Sequence, residues 1–214
     1  MNQRMAEHTP HIPLALNSTG SFAAEYFDRL YAADPDPWDF ESSPYETAKY
    51  AATLDALPRK YYGAGLELGC SIGVLTRLLS DRCESLLAID LSEAALDRAK
   101  LRCADLPKVR FERRDLSREF PAGSFDLIIV SEVAYYLSPA DLHLFYDRLC
   151  AAAAPGCHVL LVHYLGATNY PLTADQVHEA FLMQTASRST TLLACRTAAY
   201  RLDLLELGIR SAQG

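Results

Sequence analysis

The chain has 214 residues, of which 50% are hydrophobic and 22% charged, and its formal net charge is -7. This composition predicts one folded domain, or a core domain with a short extension, and it excludes a chain that is disordered along its whole length. The acidic balance and the scattered Lys and Arg residues argue against a nucleic-acid partner, because a phosphate backbone needs clustered cations.

Membrane and metal-binding classes are also disfavoured by the sequence. The apolar runs fall far short of the ~18 residues that suggest a membrane span, and the N-terminus has no apolar core of signal-peptide type. We therefore expect a cytoplasmic protein. The 6 cysteines form no C-x-x-C pair, so we expect reduced thiols and no metal site.

The N-terminal part of the chain reads as an arm followed by two helices. Residues 1–17 are predicted to be a flexible arm, and residues 18–60 a helical segment that covers the substrate. The first helix, over residues 21–33, places aromatic and apolar residues on one face. The second follows a proline-rich stretch and begins at Ser43-Pro44, a capping residue followed by a proline at the first helical position.

From residue 61 onward, short apolar strands alternate with helices. Predicted strands cover residues 65–69, 85–90, 108–115, 124–132 and 157–165, and predicted helices cover residues 74–82, 92–104, 139–154 and 173–183. Uniformly apolar strands separated by helices are typical of a parallel sheet covered on both faces. The last two strands, residues 189–197 and 198–207, have no helix between them, which indicates an antiparallel pair at one edge.

The loop after the first strand carries the sequence ELGCSIG at residues 67–73. Gly69 and Gly73 permit a tight turn and a close approach of a ligand to the backbone, and the next helix points free N–H groups at that ligand. Asp90 ends the second strand, 21 residues after Gly69, where an acid can accept hydrogen bonds from ribose hydroxyls. A nicotinamide dehydrogenase is disfavoured because G-x-G-x-x-G is absent and no second domain remains for its substrate.

These motifs, together with LLAIDLS, ERRDLS and FDLIIVSEVAYYL in that order, resemble the class I S-adenosylmethionine-dependent methyltransferases over residues 63–207. The resemblance implies an α/β, Rossmann-like fold with a mostly parallel seven-stranded sheet, an antiparallel C-terminal strand and helices on both faces. Residues 61–214 would then be the cofactor-binding core. Ser71 stands where the family usually has the middle glycine of its first motif.

The same resemblance assigns the residues that would hold S-adenosylmethionine. Glu67 and the loop would hold its methionine part, Asp90 the ribose hydroxyls and Asp115 the adenine amino group. The full set implied by the resemblance is Glu67, Gly69, Cys70, Ser71, Gly73, Asp90, Leu91, Asp115, Leu116 and Ser131.

Three further stretches, PWDFESSPYETAKY, SEVAYYL and HYLGATNYPLTADQVHEAF, are similar to the nodulation protein S group. That group N-methylates the deacetylated sugar end of chitooligosaccharide signals, which implies an amino group of a sugar or saccharide as acceptor. Two alternatives stay open. One is O-methylation of a small-molecule hydroxyl or carboxylate, and the other is a non-catalytic cofactor-binding partner protein.

Candidate acceptor-side residues follow the fourth and fifth strands. His163 has an ordinary pKa suited to proton acceptance, and Glu132 could orient an ammonium or a hydroxyl. Aromatic rings that could stack on a sugar are those of Trp38, Tyr45, Tyr135 and Tyr136. The alternative reading is a structural histidine and aromatic core residues. We expect a small-molecule or oligosaccharide acceptor and a monomer or homodimer.

Overall fold

The computed structural model describes residues 13–208, and within that range it has one seven-stranded sheet with helices on both faces. The helices are α1 (Ala24–Ala33), α2 (Pro44–Asp55), α3 (Val74–Ser80), α4 (Glu93–Arg102), α5 (Pro139–Ala152) and α6 (Ala174–Thr185). The strands are β1 (Tyr62–Leu68), β2 (Cys83–Asp90), β3 (Val109–Arg113), β4 (Phe125–Ser131), β5 (Ala153–Tyr164), β6 (Ser189–Arg196) and β7 (Tyr200–Leu207). A 3-10 turn, Ala134–Tyr136, follows β4.

The strands lie in the order β3-β2-β1-β4-β5-β7-β6, and β7 runs opposite to the other six strands. This confirms the predicted mostly parallel sheet with an antiparallel strand near the C-terminus. The order reverses between β1 and β4, and in open α/β sheets such a switch point opens a crevice at the carboxyl ends of the strands. The ends of β1, β2 and β4 are therefore the edge at which a ligand site is expected.

Alternate residues of each central strand belong to different hydrophobic clusters, one on each face of the sheet. In β4, Ile128 and Val130 pack on the side of α5 and α6, whereas Leu127 and Ile129 pack on the side of α2 and α3. Successive strand residues point to opposite faces of the sheet, and helices cover both faces, so both sets of side chains are apolar. This explains why the strand sequences lack polar alternation.

The start of β5 differs from the prediction. The strand begins at Ala153, and not at residue 157, and its ladder with β4 is irregular: Phe125 pairs with Ala153 and Leu127 with His158. The extra residues include Pro155, which has no N–H to donate, and Gly156, whose φ is +73°. The Pro-Gly pair therefore forms an irregularity within the strand rather than a turn before it.

The predicted flexible arm, residues 1–17, falls mostly outside the described residues. The backbone N–H of Ala23 donates to the carbonyl of Ala15 at 2.8 Å, and the Asn17 side-chain amide donates to Ser117 Oγ at 3.2 Å. The chain is thus held against the core before residue 18. In the described part of the chain, no helix has the length and apolar character needed to cross a membrane.

The N-terminus of α6 offers a test of the local sequence reasoning. Thr173 Oγ1 accepts from the Gln176 N–H at 3.3 Å, and Gln176 Oε1 accepts from the Thr173 N–H at 2.9 Å, which is a reciprocal capping box. We predict that Thr173→Ala lowers the free energy of unfolding by about 1 kcal/mol in urea denaturation, because an N–H loses its acceptor. Thr173→Ser keeps the hydroxyl and is the control. An equal loss in both variants would contradict the role of the cap.

Candidate active site

A pocket lies at the carboxyl ends of β1, β2 and β4 and encloses about 1020 Å³, including space open to solvent. The predicted site residues that line it are Trp38, Gly69, Ser71, Asp90, Leu91, Asp115, Leu116, Glu132, Tyr135 and Tyr136. A smaller cavity of about 340 Å³ shares Gly69, Ser71 and Glu132 with this pocket and adds Glu67, Cys70 and Ser131. The fold thus brings together residues that the sequence spreads over almost 100 positions.

Gly69 is required by both its backbone conformation and its neighbours. Its φ is +84°, and a Cβ there would lie 2.8 Å from Val133 Cβ and 2.9 Å from the Ser131 carbonyl oxygen. Gly73 also has a positive φ, of +80°, but a Cβ there would meet Ala99 Cα at 2.9 Å, and the residue lines neither cavity. Gly73 therefore allows close packing of α3 on α4, and the structure does not support the predicted ligand contact.

Ser71 adopts a left-handed conformation at the position of the family's middle glycine. Its φ is +49°, which for a residue with a Cβ costs about 1–2 kcal/mol. Its N–H donates to Asp90 Oδ2 at 2.8 Å, and its hydroxyl hydrogen-bonds to the Tyr31 hydroxyl of α1. The serine thus keeps the loop shape of a glycine and adds a contact to the N-terminal helical segment.

Asp90 is held by the backbone on both sides. Its Oδ1 accepts from the Ser92 N–H at 2.9 Å, and its Oδ2 accepts from Ser71. Burial raises the pKa of this carboxyl, and the hydrogen bonds from the Ser92 and Ser71 N–H groups oppose that shift. A carboxylate has about four lone-pair sites, so each oxygen retains one for a pair of hydroxyls in the pocket.

The far end of the pocket suits a flat apolar group with a polar edge. Leu91 and Leu116 line it, and Asp115 stands beside them. Asp115 Oδ1 accepts from the Ser117 N–H at 3.0 Å and from the Ser117 hydroxyl at 2.6 Å. These bonds fix the carboxylate. Its other oxygen, Oδ2, lies 3.5 Å from Arg118 Nε and keeps a further lone pair for an amino group of a base.

Glu67 is the most unusual acid of the site. Its side chain is 0% exposed, and neither carboxyl oxygen has a hydrogen-bond partner in the described structure. Burial raises the pKa of Glu67 to about 8, and the nearby Thr76 hydroxyl opposes that shift. An unpartnered acid beside a cavity fits a ligand that carries a cationic or hydrogen-bond-donating group, because such a group would satisfy the oxygens.

Glu132 links three parts of the chain at the mouth between the two cavities. Its φ is +53°, a strained value for a residue other than glycine. Its Oε1 accepts from Lys49 Nζ at 2.6 Å, and its Oε2 accepts from the Tyr135 hydroxyl at 2.6 Å and the Tyr164 N–H at 2.9 Å. The strain is thus accompanied by bonds to α2, to the 3-10 turn and to the end of β5.

Lys49 was not foreseen from the sequence. It is 1% exposed and also contacts Glu46 Oε1 at 3.0 Å. Burial disfavours its charged form, but the carboxylates of Glu132 and Glu46 outweigh that effect and raise the pKa of Lys49. Its helical position next to aromatic residues gave no signal, because its partner Glu132 lies 83 residues away. Lys49 therefore stays charged and fixes Glu132.

Aromatic rings form most of the acceptor-side wall. Trp38, Tyr135 and Tyr136 line the pocket, and the Tyr136 ring packs against the Tyr170 ring with centroids 4.6 Å apart and planes tilted by 55°. Further lining aromatics that the site prediction lacked are Phe22, Phe27, Tyr31, Phe40, Tyr164 and Tyr170. The sequence signal that could have identified them is the aromatic content of the stretches SFAAEYFDRLY, PWDF and HYLGATNYP. Tyr45 lines neither cavity: its ring lies under Lys49 Nζ, 5.1 Å from the centroid.

His163 lies behind this wall and lines neither cavity. It is 0% exposed, its Nε2 accepts from the Ala134 N–H at 3.3 Å, and its Nδ1 lies 3.1 Å from His178 Nε2. Burial, with His178 and Lys49 nearby, lowers the pKa of His163 well below its ordinary range. The placement contradicts direct proton transfer from an acceptor to His163, because both ring nitrogens are already engaged.

Comparison with known proteins places this arrangement in a family. The family model described as nodulation protein S matches residues 24–150. Nodulation protein S of Bradyrhizobium diazoefficiens is 33% identical over 133 residues, which is 61% of this chain and 63% of that protein. Trans-aconitate 2-methyltransferase of Sinorhizobium medicae is 32% identical over 129 residues, or 59% of this chain and 46% of that protein. The chain thus spans less than two thirds of these relatives.

Among solved structures, the N-methyltransferase NodS from Bradyrhizobium japonicum WM9, in complex with S-adenosyl-L-homocysteine, is similar to this chain. The TM-score is 0.76 at 23% identity, with 86% of this chain and 98% of that chain covered. This likeness confirms the predicted class I methyltransferase fold.

The buried acid Glu67 generates a prediction for the ligand-free protein. Its folded-state pKa of about 8 lies above the ordinary value of 4.5, so the folded state keeps a proton that the unfolded chain releases. The contribution of Glu67 to the free energy of unfolding is therefore fully present below pH 4.5 and is lost as the pH rises toward 8. The loss amounts to a few kcal/mol, at about 1.4 kcal/mol per pH unit.

We expect Glu67→Gln to remove this part of the pH dependence, since the amide has the shape of the protonated acid and does not ionise. Urea denaturation between pH 5 and pH 8 measures it, with exposed Glu84→Gln as the control. Parallel stability profiles for wild type and Glu67→Gln would show that the buried acid does not titrate in this range.

Proposed function

The chain belongs to the nodulation protein S family, and on that premise we propose that it is an S-adenosylmethionine-dependent methyltransferase that N-methylates a sugar or saccharide amine. The observation that carries the proposal is that one pocket has two chemically different halves. A nucleoside-type half contains Asp90 and Asp115, and it opens onto an aromatic wall that contains Tyr135 and Tyr136.

The residues present fit the cofactor. Gly69 and Ser71 of the loop line the pocket, and the buried acid Glu67 beside them lacks a hydrogen-bond partner. Asp90 would accept the ribose hydroxyls, Leu91 and Leu116 would flank the adenine, and Asp115 would accept from its amino group. The loop and Glu67 would hold the amino-acid tail. These assignments agree with the binding of S-adenosyl-L-homocysteine by the Bradyrhizobium japonicum relative.

When bound, S-adenosylmethionine supplies a methyl group on a sulfonium, which already is an excellent leaving group. The protein's task is therefore to orient the acceptor and to exclude water. Glu132 Oε1 has one lone pair left beside its bond to Lys49, and this lone pair would accept an acceptor N–H and orient the nitrogen. Tyr136 and Trp38 would provide the apolar faces against which a sugar ring packs.

Charge distinguishes an amine acceptor from the carboxylate acceptor that the trans-aconitate 2-methyltransferase relative suggests. Lys49 lies between Glu46 and Glu132, and Arg114 contacts Glu112 at 2.7 Å and Glu119 at 3.0 Å. The cations of the described site are thus already paired with carboxylates. A polycarboxylate would be repelled by the acids of the pocket, and no unpaired cation of the described site would offset that repulsion. An amine, by contrast, would be attracted to these acids.

Asp90 gives the first test of the proposal. We predict that Asp90→Ala weakens S-adenosyl-L-homocysteine binding at least 10-fold in isothermal titration calorimetry, because two charge-assisted hydrogen bonds are lost at about 1.5–3 kcal/mol each. Exposed Asp97→Ala on α4 is the matched control and should bind like wild type. Undiminished binding of S-adenosyl-L-homocysteine by Asp90→Ala would show that the cofactor site is wrongly assigned.

The acceptor class gives the second test. Glucosamine oligomers, their fully N-acetylated counterparts and trans-aconitate are offered in parallel with S-adenosylmethionine, and products are weighed by mass spectrometry. We expect a gain of one methyl group on the free amine alone. Methylation of the N-acetylated oligomer or of trans-aconitate, with the amine untouched, would favour the O-methyltransferase alternative.

A further inference from the structure

A buried chain of polar side chains runs from the antiparallel strand β7 to the turn behind the acceptor wall. His163 Nδ1 lies 3.1 Å from His178 Nε2, and His178 Nδ1 lies 2.8 Å from Asp203 Oδ2. The other nitrogen of His163 accepts from the Ala134 N–H at 3.3 Å. His163, His178 and Asp203 are 0%, 1% and 2% exposed, so bulk solvent does not reach this chain.

The two ends of this chain determine where the protons lie. The Ala134 N–H can only donate, so His163 Nε2 carries no proton and its Nδ1–H donates to His178. His178 then donates its own Nδ1–H to the carboxylate of Asp203. Arg201 Nε also donates to Asp203 Oδ2 at 2.8 Å, so this carboxylate is an acceptor for both groups. Every link therefore has one donor and one acceptor, with both histidines neutral.

The turn at the end of the chain carries the acceptor-side wall. Ala134 is the first residue of the 3-10 turn, and its N–H has no partner within that turn, so His163 caps it from β5. The His163 ring also packs edge-on against the Tyr135 ring, with centroids 5.1 Å apart. Tyr135 in turn donates to Glu132, the acid proposed to orient the acceptor.

We infer that His163, His178 and Asp203 are positioning residues that fix the Glu132–Tyr136 segment for acceptor binding, without contacting the acceptor. The inference rests on the proposed function for its kinetic consequence, but the hydrogen-bond chain itself can be tested without any acceptor. Removal of one link leaves a buried donor or acceptor unpaired, and the capped turn then loses its defined position.

Proton placement is the acceptor-independent test. In two-bond ¹H–¹⁵N NMR spectra of ¹⁵N-histidine-labelled protein at pH 7, we expect both His163 and His178 as neutral Nδ1–H tautomers. His178→Leu should remove the signature of its own ring and shift that of His163. A protonated ring, or an Nε2–H tautomer at either position in wild type, would overturn the inference.

Kinetics with a glucosamine oligomer test the consequence. We expect His178→Leu to lower kcat/KM for the acceptor by ~10-fold or more, a loss comparable to that found when the hydrogen-bond partners of metal-ligating histidines are removed. Its affinity for S-adenosyl-L-homocysteine should stay within about twofold of wild type, because Asp90 and the loop do not touch the chain. His178→Gln, which can offer an acceptor to His163, should recover part of the loss.

His158 supplies a matched control on the same strand. It is 3% exposed and bonds to the Tyr62 hydroxyl at 2.8 Å, and it lies in the middle of β5, five residues before His163. We expect His158→Leu to lower the melting temperature without lowering kcat/KM for the acceptor. Equal kinetic losses in His158→Leu and His178→Leu would show general destabilisation and overturn the positioning role.

Cofactor binding by wild type without methylation of any amine would count against the proposed function, and the NMR result would still decide the inference.

Discussion

The hydrogen bond between the Ser71 N–H and the Asp90 carboxylate is the interaction on which the site depends. It joins the loop after β1 to the end of β2, and it holds Ser71 in a left-handed conformation that its side chain disfavours. The parallel sheet brings these two strand ends together, and the acid that ends β2 then fixes the loop. In our account, the remaining lone pairs of the Asp90 carboxylate accept hydrogen bonds from the cofactor.

A second acid, Glu132, performs the corresponding task on the acceptor side. Through Lys49 it connects the N-terminal helical segment to the core, and through Tyr135 it connects to the turn that His163 caps. Both acids stand at strand ends, and both are held mainly by groups from other elements. The site is therefore a set of strand-end carboxylates whose orientation is set by the packing of the whole sheet, including its antiparallel strand.

The sequence predicted well the features that depend on neighbouring residues. The order of strands and helices follows from apolar runs, and the cap at Ser43 follows from the proline beside it. It could not predict contacts between distant positions. No residue close to Lys49 in the sequence indicates Glu132 as its partner. The local sequence around a histidine near a strand end is the same whether the side chain faces a pocket or, like His163, lies behind the pocket wall. The contact of Gly73 with Ala99 was unpredictable for the same reason, since Ala99 belongs to another helix.

A crystal structure of the protein soaked with S-adenosyl-L-homocysteine and a glucosamine oligomer tests the central claim most directly. The account predicts ribose hydroxyls on the Asp90 carboxylate, the amino-acid tail beside Glu67, and a sugar amine near Glu132 with its ring against the tyrosine wall. Density for the nucleoside elsewhere on the molecule, or an Asp90 carboxylate turned away from it, would contradict the account.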